Sequence, residues 1–361
     1  MDIRGKEVLV FGSGISGVAA GRLLLKKGAK VCIYDGNTAL DKEKIFRELQ
    51  SGGTGKAEII LGELPELLLK KIDLAVISPG VPTDLPLVKA IQERKIPLWG
   101  EIELAYVFGK GDVLAITGTN GKTTTTALLG EIVKENAESS FVVGNIGNPY
   151  TDIALETRED SVIVAEMSSF QLETIHTFRP KVSAILNITP DHLNRHHTME
   201  AYIAAKQNIA RNQMAEDFCV LNYEDHVTRS FGEKVKAQVL YFSSRRKLKR
   251  GVYLEKGEII LNLGQETPIC HIDELHLLGT HNYENVMAAT AMAAAYGIPA
   301  KKIQKAVKNF QGVAPVSYTH LFVSAMHLNR ALPSNLLRWP QGWRQARLQV
   351  MRHIPAEVPC M

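Results

Sequence analysis

Thr117-Gly118-Thr119-Asn120-Gly121-Lys122-Thr123-Thr124 sets glycines, a lysine and hydroxyls between an apolar run and a helix-forming one. In that setting the N–H groups at a helix start can ring a phosphate. The lysine can reach its oxygens, and a hydroxyl can hold Mg²⁺. The loop is shorter than the G-x-x-x-x-G-K-[ST] form, because Ile116 occupies the place of its first glycine. A Gly/Asn turn capping a helix beside a surface lysine is the plainer alternative. Two further sets of groups strengthen phosphate binding. Glu166 ends the apolar run Val162–Ala165, and Asp191-His192 follows Val182–Leu186. Ligands of open α/β sheets bind beyond the carboxyl ends of strands, where such a carboxylate would meet the metal of a bound nucleotide. Taken singly, Glu166 reads as a solvated strand-end acid and His192 as a helix-start residue. His196 and His197 have no carboxylate or cysteine at metal spacing and read as structural.

A second glycine-rich turn, Gly12-x-Gly14-x-x-Gly17, has Asp35 at the end of the next apolar run. Alone it fits a dinucleotide fingerprint. The chemistry asks for less: glycines admit a diphosphate to the backbone, and Asp35 can accept from a sugar hydroxyl or a base N–H. Any nucleoside diphosphate qualifies, and a tight turn with no ligand is the plainer alternative.

These groups need a scaffold of alternating strands and helices. Glu7–Phe11, Val31–Tyr34 and Leu74–Ile77 are short apolar strands, with a helix over Val18–Lys27. Phe108–Asp112 looks like a boundary, after which Val113–Ile116, Val162–Ala165, Val182–Leu186 and Cys219–Asn222 repeat the strand pattern. Turns at Lys256-Gly257 and Leu263-Gly264 break up short β pieces within 239–275, and Asn282–Tyr296 is an Ala- and Met-rich helix. This alternation predicts α/β architecture built on parallel sheets.

The 361 residues predict two or three domains. The four cysteines are scattered, which favours reduced thiols over a disulfide frame or a zinc site. No apolar run approaches the ~20 residues of a membrane span, and the charged start is unlike a secretory signal. A cytoplasmic protein is expected. The net charge of +4 is concentrated at one end, because residues 314–361 hold five Arg and one Glu. The other 313 residues divide evenly, 37 basic against 37 acidic, so no basic excess marks them for nucleic acid.

The order of motifs resembles the Mur ligase family. After Thr117–Thr124 come Gly144-Asn145-Ile146-Gly147-Asn148-Pro149, Glu166-Met167-Ser168-Ser169-Phe170-Gln171-Leu172-Glu173, Asn187–Leu193, Ala204-Ala205-Lys206 and Gly279–Asn285. The Glu166–Glu173 string and Asp35-Gly36-Asn37 resemble the D-glutamate-adding branch. The resemblance implies a Rossmann-like domain over 1–107 that binds a UDP-linked substrate, and a P-loop-type ATPase domain over 108–313. It implies ATP with Mg²⁺ as cofactors, and UDP-N-acetylmuramoyl-L-alanine and D-glutamate as partners. The reaction implied is amide formation through an acyl phosphate, in a monomeric bacterial cytoplasmic enzyme.

Residue by residue, the resemblance puts Gly118, Thr119, Asn120, Gly121, Lys122, Thr123 and Thr124 on ATP phosphates. Asn282 and Asn285 would reach adenine. Thr123 and Glu166 would hold Mg²⁺, and His192 with a carbamylated Lys206 a second metal ion. Lys122, Glu166, His192 and Lys206 thus form the catalytic set. Ser13, Gly14, Ile15, Ser16 and Asp35 would bind UDP, and Asn145 and Ser168 the muramoyl part. Other amino-acid ligases of the family and a non-catalytic nucleotide-binding fragment are the competing readings; an NAD oxidoreductase is a further one.

The resemblance runs to Val313. Ala314-Pro315-Val316-Ser317 then replaces the expected continuation, and the tail carries five Pro and two of the three Trp. A frameshift or chimeric join near residue 314 is expected, leaving too few residues for the family's third domain, with weak nucleotide binding and little turnover.

Overall fold

The computed structural model describes residues 2–50, 55–145 and 148–313. The chimeric-join expectation for 314–361 lies outside the described residues, as do Ile146 and Gly147.

Five strands form the first sheet: β1 (Glu7–Phe11), β2 (Lys30–Asp35), β3 (Ala57–Leu61), β4 (Leu74–Ile77) and β5 (Leu98–Gly100). All pair in parallel, in the order β3-β2-β1-β4-β5. Parallel strands are covered on both faces, so the central ones read as unbroken apolar runs. Val8, Leu9, Val10 and the whole of Leu74–Ile77 are buried. The helix Ile15–Lys26 follows β1 after a turn that only glycine permits. A Cβ on Gly17 would lie 1.9 Å from the Gly12 carbonyl oxygen.

The second sheet comprises β6 (Asp112–Thr117), β7 (Ser140–Gly144), β8 (Val162–Glu166), β9 (Val182–Ile185), β10 (Phe218–Asn222), β11 (Gln238–Ser243), β12 (Gly251–Glu255), β13 (Glu258–Asn262) and β14 (Glu266–His271). Its order is β14-β13-β12-β11-β10-β9-β6-β8-β7. The pairing is parallel from β7 to β12 and antiparallel through the last two strands. Lys256 and Gly257, both at positive φ, make the tight turn between β12 and β13. Asn285–Ala293 of the helix Thr280–Ala295 are all buried, against the helix Lys122–Lys134 and strands β9–β12. Small Ala side chains permit that close approach.

Residues 1–313 form one compact unit, in which the two sheets are tied by polar contacts. Arg22 donates to both oxygens of Asp152, at 2.6 and 2.9 Å. Glu103, fully buried, accepts from His176 N, Thr177 N, Thr177 Oγ1 and Phe178 N at 2.5–3.0 Å.

In each sheet the order reverses beside one central strand: β1 lies between β2 and β4, and β6 between β8 and β9. The two glycine-rich turns leave these strands, at the switch points where open α/β sheets bind ligands.

Candidate functional site

Gly121 precedes the helix Lys122–Lys134 with φ of 84°, a left-handed conformation suited to glycine. The first helical hydrogen bond runs from Thr125 N to Gly121 O, at 3.0 Å. The N–H groups of Lys122, Thr123 and Thr124 therefore face out of the helix start, where an anion is favoured. The earlier loop amides are already engaged. Thr119 N and Asn120 N donate to Asn187 Oδ1 at 3.1 and 2.9 Å. Asn187, just beyond β9, shapes the loop, and no sequence spacing revealed that.

Lys122 Nζ folds back onto the carbonyls of Gly118 and Thr119, at 2.9 and 2.8 Å. Burial pushes its pKa down, against the nearby charges of Glu166 and Asp191. Glu166, at the end of β8 and almost fully buried, accepts from Thr123 Oγ1 at 2.9 Å and from Asn145 Nδ2 at 2.8 Å. Two sequence-predicted residues, Thr123 and Asn145, thus share the carboxylate of a third. Thr123 and Glu166 offer hard oxygen ligands of the kind Mg²⁺ accepts. Among the described residues, no three His, Cys, Asp or Glu side chains converge as a ready metal cage. A hydroxyl and one carboxylate suit an ion held chiefly by phosphate and water.

Lys206 is buried beneath the loop. Its Nζ donates to Gly118 O at 2.7 Å and lies 4.8 Å from the Tyr202 ring centroid. Burial, and then the neighbouring Lys122 charge, lower its pKa to about 7, against Asp191 and Glu166. Tyr202, which the sequence did not single out, has its hydroxyl 3.1 Å from Thr119 Oγ1. His192 is half exposed, its Nε2 3.4 Å from Asp191 Oδ2 and its ring 5.0 Å from Phe170. It approaches the loop through Tyr202, with ring centroids 6.4 Å apart. His196, read as structural, is buried and bonded to Ser169 Oγ at 2.9 Å. Burial lowers its pKa, and Glu173 opposes this.

An open cavity of about 350 Å³ lies beside the loop, lined by Asn120, Gly121, Phe242, His281, Glu284 and Asn285 among others. That volume suits a small-molecule ligand. Asn285 Nδ2 donates to Asn282 Oδ1 at 3.3 Å, so these two asparagines are a pair. Ser244 Oγ donates to Glu284 at 2.6 Å.

At the first sheet, Ser13 N and Oγ donate to Asp35 Oδ2, at 3.0 and 2.8 Å. Burial resists ionisation of Asp35, but these bonds and one from Asn37 N outweigh it and hold the carboxyl below its usual range. Gly14 precedes the helix and Ile15 is 78% exposed, an apolar side chain presented to any ligand there, with Ser16 half-buried beside it. Ser168 begins the four-residue helix Ser169–Leu172 in a reciprocal cap with Gln171.

The pattern of the "Mur ligase MurD-like, N-terminal domain" matches residues 6–100, and that of the "Mur ligase middle domain" residues 116–293. This chain is 54% identical over 314 residues to the UDP-N-acetylmuramoylalanine--D-glutamate ligase of Lachnoclostridium phytofermentans, covering 87% of this chain and 69% of that protein. The chain belongs to the Mur ligase family. The protein of the same name from Lachnospira eligens is 55% identical, with the same coverage. Among solved structures, the Neisseria meningitides UDP-N-acetylmuramate:L-alanyl-gamma-D-glutamyl-meso-diaminopimelate ligase superposes with a TM-score of 0.59 at 18% identity, covering 86% of this chain and 99% of that one. At that identity the likeness concerns the fold. This Mur ligase chain thus has the Rossmann-like and P-loop-type pair of sheets, and among the described residues no helix is long and apolar enough to cross a membrane.

Proposed function

We propose that this chain acts in ATP-dependent amide formation between the carboxylate of UDP-N-acetylmuramoyl-L-alanine and the amine of D-glutamate. The observation that carries the proposal is the convergence of Lys122, Thr123, Asn145 and Glu166 at the carboxyl ends of β6, β7 and β8. The names of relatives at 54% and 55% identity supply the substrates.

A carboxylate is a poor electrophile. Transfer of the γ-phosphoryl group of ATP onto one carboxylate oxygen supplies a leaving group. The amine then adds to the acyl carbon, and phosphate departs with the electron pair of the C–O bond as the ammonium proton is lost. The N–H groups of Lys122, Thr123 and Thr124 bind phosphate oxygens at the helix start. Lys122 exchanges its two carbonyl partners for phosphate oxygens and balances charge as it moves. Thr123 and Glu166, with the nucleotide, would hold Mg²⁺, which would supply positive charge against the phosphates. Asn145 keeps Glu166 oriented. Asn285, which lines the adjoining cavity, would meet the base there, with its partner Asn282 beside it. Ser13 to Ser16 and Asp35 receive the UDP end, and Ser168 the muramoyl end. With its pKa lowered to about 7 by burial, Lys206 can offer the uncharged amine that addition of CO₂ requires, and His192 would join it at a second metal ion.

Calorimetry with a non-hydrolysable ATP analogue and with UDP-N-acetylmuramoyl-L-alanine tests the site, and ADP release with D-glutamate present tests the reaction. Lys122→Met should weaken the ATP analogue by tenfold or more and leave the UDP substrate unaffected, in keeping with about 1.5–3 kcal/mol for a charged hydrogen bond. Unchanged analogue binding in Lys122→Met would refute the assignment of the loop.

A further inference from the structure

Glu101 is the first residue of the helix Glu101–Phe108, directly after β5 of the first sheet. Its carboxylate reaches across to the second sheet's segment. Oε1 accepts from Gln171 Nε2 at 2.9 Å. With its amide nitrogen held there, Gln171 turns its carbonyl towards Ser168, where Oε1 accepts from Ser168 N at 2.8 Å and from Ser168 Oγ at 2.9 Å. Ser168 Oγ in turn accepts from Gln171 N at 3.2 Å. The Ser168 hydroxyl proton is therefore committed inward, and towards the site the oxygen offers a lone pair.

The cost of this arrangement is visible. Glu101 is 2% exposed, and its Oε2 has no hydrogen-bond partner. The Ser78 hydroxyl, also without one, lines the same cavity of about 10 Å³, roughly the space of one water. A short helix could keep its cap with Gln171 alone. A carboxyl group buried with one oxygen unpaired calls for a reason beyond packing.

We propose that Glu101 is a positioning residue for the muramoyl end of the substrate, holding the Gln171 amide that fixes the Ser168 hydroxyl. The inference rests on the reading of Ser168 under Proposed function. It links the sheet that receives UDP to the side chain that meets the sugar-peptide end, so one contact aligns both ends of a long substrate.

The test is calorimetric titration of the full chain with three probes: UDP-N-acetylmuramoyl-L-alanine, UDP alone and an ATP analogue. Wild-type binding of the first more tightly than of UDP establishes the muramoyl contact; equal binding would sink that reading and this inference with it. Given that contact, Glu101→Ala should weaken UDP-N-acetylmuramoyl-L-alanine about tenfold, the effect of losing one hydrogen bond's orientation, and leave the other two probes within twofold. Glu101→Gln keeps an acceptor for Gln171 Nε2 and should bind like wild type. Should Glu101→Ala fail to fold, Glu101→Asp supplies the measurement, because its carboxylate is one methylene too short. Adding Glu101→Ala to Gln171→Ala should produce no further loss, because Glu101 then has no amide to hold. Unchanged binding in a folded Glu101→Ala or Glu101→Asp variant, equal loss for all three probes, or failure of Glu101→Gln to restore affinity would overturn the proposal.

Discussion

Gly121→Ala separates two costs that meet at one atom. The first is conformational: φ at Gly121 is 84°, and a non-glycine residue in the left-handed region costs about 1–2 kcal/mol. The second is steric, because a Cβ there would lie 2.2 Å from Asn285 Oδ1. Asn285 is buried and bonded to Asn282, so it cannot swing away freely. Overpacking of this kind costs about 1–3 kcal/mol. Gly121→Ala should therefore lose roughly 2–5 kcal/mol of unfolding free energy by urea denaturation. Asn285→Ala removes the obstructing oxygen and not the backbone strain. In the Gly121→Ala/Asn285→Ala double variant, the glycine substitution should cost only about 1–2 kcal/mol. Strict additivity of the two substitutions would refute the steric half of the reasoning. A Gly121→Ala chain as stable as wild type would refute both halves.

Glu103→Gln replaces an acceptor oxygen that serves the 176–178 turn with an NH₂ group, and should destabilise by about 2–4 kcal/mol, read as a lower urea midpoint with unchanged slope. Asp152→Ala removes the half-buried pair with Arg22 and should cost only about 1 kcal/mol, an effect that shrinks in high salt on repeating the titration. Burial raises the Glu101 pKa to about 7, with the Gln171 hydrogen bond opposing, Asp152 reinforcing and Arg195 lining the same cavity. The folded chain then holds a proton that the unfolded chain releases near pH 4.3. Wild type should lose stability relative to Glu101→Gln as pH rises from about 4.5 to about 7, by up to about 1.4 kcal/mol per unit, and the difference should level off above that window. A pH-independent difference between paired denaturation curves would contradict this.

The central strands were legible because burial on both faces demands unbroken apolar runs, as in Val8–Phe11 and Leu74–Ile77. The less apolar or shorter edge elements Ala57–Leu61, Leu98–Gly100 and Ser140–Gly144 were not, since pairing with a neighbouring strand defines them more than their own composition does. The sequence-predicted loop, Thr123, Asn145 and Glu166 do meet. Asn187 and Tyr202, which hold Thr119, gave no local signal, because both act from segments more than sixty residues away.

Sequence by itself determined the motif order, the alternation of strands and helices, and the glycines at turns where a Cβ cannot fit. These are local matters of backbone freedom and apolar periodicity. Only the tertiary structure decided that Lys206 is buried, with its pKa lowered to about 7, although nothing near it in sequence distinguishes it from a surface lysine. Only the tertiary structure joined Glu101 to Ser168 through Gln171. Desolvation and long-range hydrogen bonding depend on what the fold brings alongside a residue, and the residue's own sequence neighbours do not encode that.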